Sequence, residues 1–130
     1  VTDFDWHDYL RLAQQLAPME DEAARRTAIS RAYYYVFHLA RERAIRNGCK
    51  LSYAESSHKS VWDFYIRSPD TDCKSLGLEG SRLRERRNVA DYDLPFKGRL
   101  MDDVQDAIQK ASAFSQRLAT LDPRQPRGTA

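Results

Sequence analysis

The sequence predicts an all-α protein, an antiparallel bundle of about five helices, from three observations. Apolar residues recur at three- and four-residue spacing along most of the chain. No stretch alternates apolar and polar residues as a half-buried strand does, and no internal repeat is visible. With only 5 Gly and 5 Pro in 130 residues, of which 42% are hydrophobic, the chain is too poor in turn residues for a loop-dominated or all-β architecture. The length suits one domain with a real core, so residues 1–121 are expected to form the bundle and residues 122–130 a tail.

The first helix is carried by Trp6, Tyr9, Leu10, Ala13, Leu16 and Ala17, which form one apolar stripe. Thr2 or Asp3 is its expected cap, and Pro18 ends it by forcing the preceding residue out of helical geometry. A long second helix is predicted from Glu20 to Asn47, a stretch free of Gly and Pro that opens on three acids and stops at Asn47-Gly48. Its apolar residues, Ala24, Ala28, Ala32, Tyr35, Val36, Leu39 and Ile45, wrap much of its surface, which predicts several packing neighbours.

A short aromatic third helix starts at a Ser56 or Ser57 cap and runs through His58, Val61, Trp62, Tyr65 and Ile66 to the breaker Ser68-Pro69-Asp70. The fourth is predicted from Leu76 to Tyr92, weakened at its start by Gly77 and Gly80. The last has Asp102 and Asp103 in its first turn and Val104, Ala107, Ile108, Ala111, Phe114, Leu118 and Leu121 on one face. Beyond Asp122 almost nothing is apolar, which predicts a disordered tail.

No apolar run approaches the length of a membrane span, and no basic-then-apolar leader opens the sequence, so a cytoplasmic protein with no membrane association is expected. Cys49 and Cys73 lack the count and spacing of a zinc site; they read as reduced thiols, and no metal or cofactor is expected. A net charge of +2 says little about partners, but its distribution says more. Arginines gather at positions 25, 26, 31, 41, 43 and 46, and again at 82, 84, 86 and 87, and folding can bring the two clusters into one basic groove.

Two segments concentrate the chemistry. On the second helix Thr27, Arg31, Tyr34, His38 and Arg41 are spaced four, three, four and three, which makes one polar stripe; the plainer alternative is an internal hydrogen-bond network at the bundle seam. On the fourth, Arg84, Arg87 and Asp91 share a face, with Arg87 and Asp91 an i, i+4 pair. A single pair can simply staple a helix end, but four arginines in six positions exceed that need. Guanidinium groups fork onto phosphate and stack on bases, so RNA or a nucleotide is the expected partner, with Arg31, Arg84, Arg86 and Arg87 as binding candidates.

Together the segments Ser30-Arg31-Ala32-Tyr33-Tyr34-Tyr35-Val36-Phe37-His38 and Arg86-Arg87-Asn88-Val89-Ala90-Asp91-Tyr92 resemble the HEPN family, in its branch with an SRxYYxxFH helix and an RxxxADY helix, and His58 opens the third helix as that family often shows. The resemblance implies a HEPN-like bundle that dimerises so that arginine-bearing helices line a cleft. It also implies, in active members, a metal-independent ribonuclease with toxin or defence roles, paired with a minimal nucleotidyltransferase. Those members carry a histidine four to six residues beyond the arginine; here Asp91 and Tyr92 stand where it falls. Neither suits proton transfer at neutral pH. The candidate catalytic set is therefore Arg87, Asp91 and Tyr92 with an imported His38, or next His58. A non-catalytic module binding a nucleotide or a partner protein is the alternative, and a bundle whose arginines are solvated surface is a third.

Overall fold

A computed structural model describes residues 3–51 and 57–127. The chain is an all-α bundle of five helices, α1 (His7–Leu16), α2 (Glu22–Arg46), α3 (Ser57–Ile66), α4 (Thr71–Tyr92) and α5 (Leu100–Thr120), and the described residues contain no strand. No helix among them is long and apolar enough to cross a membrane.

The circumferential spread of apolar residues on α2 makes it the central helix, in contact with all four others, while α3 packs chiefly on α4. Around it the fully buried large side chains include Trp62, Tyr33, Tyr35, Tyr65, Phe114 and Leu76. Burying each such side chain contributes roughly 2 kcal/mol. Asp21 caps α2 by accepting from the Ala23 N–H at 3.0 Å. At its other end Gly48 takes a left-handed φ of 97°, and the Cys49 N–H reaches back to the Ala44 carbonyl at 2.9 Å, the paired-turn ending that glycine permits.

The expected caps differ at two helices. Thr2 and Ser56 lie outside the described residues, and Ser57 is already helical. At α1 neither Asp3 nor the capping position Trp6 supplies a side-chain bond; Asp5 does so, accepting from the His7 N–H at 3.0 Å.

α4 begins at Thr71, five residues before the predicted start, because Asp70 is its cap and accepts from the Cys73 N–H at 3.0 Å. Gly77 and Gly80 are buried points of close approach within it. A Cβ on Gly77 would strike Ile66 and Tyr65, and one on Gly80 would enter the Trp62 ring. The end of α4 is fixed from α2. Arg26 donates to the carbonyls of Ala90 (3.1 Å), Asp93 (2.6 Å) and Leu94 (3.0 Å), in the last turn, at the C-cap and just beyond it, where a helix leaves acceptors unpaired.

The expectation of disorder from residue 122 is corrected over residues 122–127. Buried Arg43 donates to the carbonyls of Leu121, Asp122 and Gln125 at 3.0, 2.8 and 2.7 Å, Asn47 donates to those of Pro123 and Gln125, and Pro126 is buried. A segment poor in apolar residues is thus held through its backbone, which composition does not reveal.

Candidate functional site

The polar stripe of α2 divides among separate tasks. Thr27 turns back onto the Ala23 carbonyl at 2.7 Å. The Arg31 guanidinium lies 4.7 Å from the Tyr9 ring centre and 4.8 Å from that of Tyr34. His38 stacks on Trp6, with ring centres 3.6 Å apart and planes 6° from parallel, beneath α1. Burial, helped by Arg41 and Arg31, pulls its pKa down to about 4.

α4 presents Arg84, Arg87 and Asp91 on its face toward α2 and α3. Arg87 is buried, its side chain 8% exposed, with its guanidinium 5.4 Å from the Tyr33 ring centre and 5.3 Å from that of Tyr34. Its Nη1 stands 3.9 Å from the Asp91 carboxylate, which also accepts from the Ser30 hydroxyl at 3.2 Å. Among the described residues Arg84 has no hydrogen bond or ion pair, and the Nε groups of Arg84 and Arg87 are buried without an acceptor. Among the described residues, two guanidinium groups stand against one carboxylate at this corner of the fold.

These arginines line a cleft of about 420 Å³ with Tyr34, His58, Asn88 and Tyr92. His58 is placed there by α3, its ring stacked on Phe37 at 4.0 Å. Its Nδ1 lies 2.6 Å from the Tyr33 hydroxyl, and Trp62 Nε1 donates to that same hydroxyl at 3.1 Å. Burial, then the charges of Arg84, Arg87 and His38, pulls the His58 pKa down to about 4, while burial pushes the Tyr33 hydroxyl above its ordinary value. Tyr92 stands at the rim, 73% exposed. Among the described residues no group of three His, Cys, Asp or Glu is gathered to hold a metal ion.

Comparison with family models, curated proteins and solved structures finds no match to this chain.

The sequence-predicted residues thus fall into three groups. Arg84, Arg87, His58 and Tyr92 line one cleft, and Asp91 adjoins it through Arg87. His38, the first choice for an imported imidazole, is covered by Trp6 and does not line the cleft, and Arg31 reaches it only through the shared Tyr34 ring. Arg86 points elsewhere: it pairs with Asp106 of α5 and borders a separate groove with Ile29, Val89 and Phe96. Sequence reasoning missed Tyr33 and Trp62 as partners of His58. Their signal is the i, i+4 spacing of His58 and Trp62, which puts both side chains on the face of α3 turned toward α2.

Proposed function

We propose that this chain is a HEPN-like RNA-binding protein of toxin or defence type, and that its cleft recognises RNA without cutting it. One observation carries the reading: Arg84 and Arg87, whose Nε groups have no acceptor among the described residues, converge with Tyr34, His58 and exposed Tyr92 on a single concavity. Guanidinium groups supply phosphate contacts, and an exposed ring at the rim supplies a face for an unpaired base. Cleavage by the 2′-hydroxyl would need a base and an acid. His38 is covered and His58 already has its Nδ1 engaged, so the degenerate motif has no ready proton carrier.

The toxin or defence setting rests on the two motif helices alone. A homodimer through α4 and α2 belongs to the same proposal; Tyr92 and Leu94, 73% and 93% exposed, offer apolar surface at the end of α4 for a second copy. The same surface favours the second reading, a module that docks a partner protein such as a minimal nucleotidyltransferase.

Incubation of purified protein with end-labelled single-stranded RNA in EDTA tests both halves. Binding that weakens steeply with salt, with intact RNA recovered, is the expected result. Metal-free cleavage would overturn the non-catalytic reading, and no binding at low salt would leave the partner-docking module as the better account.

A further inference from the structure

The Tyr33 hydroxyl sits between two nitrogens, 3.1 Å from Trp62 Nε1 and 2.6 Å from His58 Nδ1. An indole nitrogen only donates, so the tyrosine oxygen is the acceptor there. The remaining phenolic proton then has one neighbour among the described residues, His58 Nδ1, and leaving a buried O–H unmade is costly. The arrangement that satisfies all three groups has Tyr33 donating to Nδ1, which puts the ring proton on Nε2. Trp62 is itself fixed, because its ring lies against the Cα of Gly80 where no larger residue fits.

We propose that Tyr33, anchored by Trp62, is a positioning residue that holds His58 as the neutral Nε2–H tautomer, so that the imidazole serves the cleft as a hydrogen-bond donor to an anionic phosphate oxygen and not as a proton carrier. The inference rests on the RNA-binding reading for its ligand and on the Trp62–Tyr33–His58 chain for its tautomer. Among the described residues the charged groups facing the ring oppose its protonation. From α4, Arg84 and Arg87 oppose a positive imidazolium; from α2, Tyr33 engages Nδ1, Phe37 stacks on the ring and His38 adds no negative charge; Trp62 on α3 acts through Tyr33. Beside two guanidinium groups, a neutral donor adds a directional contact to phosphate without further charge repulsion.

Two-bond proton–nitrogen spectra of the ¹⁵N-labelled full chain test this, with His58→Gln used to assign the ring. Expected is an Nε2–H, Nδ1-acceptor pattern unchanged from pH 5.5 to 8. In Tyr33→Phe the ring, still buried beside Arg84 and Arg87, is expected to stay neutral but to exchange between its two tautomers. The parent spectrum decides the matter even if this variant folds poorly: an Nδ1–H tautomer, or an imidazolium at pH 6, overturns the lock. Titration with inorganic pyrophosphate is expected to move the Nε2 resonance. An intact tautomer that pyrophosphate leaves unmoved, and that RNA leaves unmoved although it binds, would overturn the donor role alone; no RNA binding at all would overturn the RNA reading, while the lock itself stands.

Discussion

His38 lies flat against Trp6 and His58 against Phe37, and each ring is kept neutral by burial and by arginines close by. That neutrality has a cost in acid. Both pKa values are about 4 in the fold against about 6.5 for an unfolded histidine, so between those values the unfolded chain binds more protons and stability falls as pH falls. The contribution is fully present above pH 6.5. Moving from pH 6.5 to 5, a range in which carboxylates still titrate little, is expected to remove about 1 kcal/mol per ring after discounting for partial solvent access. Urea midpoints at the two pH values check this, and His38→Asn should flatten the dependence by about half. A parent midpoint that does not move would show that the rings are not held neutral. His58 thus tunes stability and, through Tyr33, presents a fixed donor.

At the scale of elements, α4 carries the cationic face and its register depends on glycine. Gly80→Ala should gain about 1 kcal/mol of helix propensity in an exposed helix, but here the new Cβ meets three atoms of the Trp62 ring. Overpacking outweighs propensity, and thermal denaturation is expected to show a net loss of about 2 kcal/mol. Neutral or raised stability would mean that α3 does not rest on α4 as described. The same contact explains what could be read from sequence and what could not. α1, α2, α3 and α5 are marked by apolar spacing, opening acids or caps, and punctuation at Pro18, Gly48 and Pro69. The start of α4 was hidden because Asp70 reads equally as part of a breaker or as a cap, and because glycines that permit close packing look like weak helix. Arg84, Arg87 and His58 could be singled out by residue type and spacing. For the Tyr33–Trp62 support the i, i+4 spacing of His58 and Trp62 marks only a shared face of α3; that Tyr33 meets that face appears only once α3 packs against α2. Arg86 misled for the complementary reason: next to Arg87 in sequence, it falls on another face of the helix and pairs with Asp106.

Across the whole molecule α2 is the frame on which the other parts are registered. Arg26 fixes the end of α4, Ser30 meets Asp91, Tyr33 orients His58 and Arg43 holds residues 121–125. One helix thereby sets the relative positions of the cleft-lining groups from α3 and α4. The claim that this cleft is an RNA site, and not merely a cationic corner, is tested most directly by comparing two charge reversals with the same net effect. Arg84 lines the cleft, whereas Arg82 borders the groove of Arg86 on another face. Fluorescence anisotropy of a labelled single-stranded RNA at fixed moderate salt is expected to show affinity falling by about tenfold or more for Arg84→Glu and by about twofold or less for Arg82→Glu. Equal losses from the two, or no loss from Arg84→Glu, would contradict the assignment of the cleft.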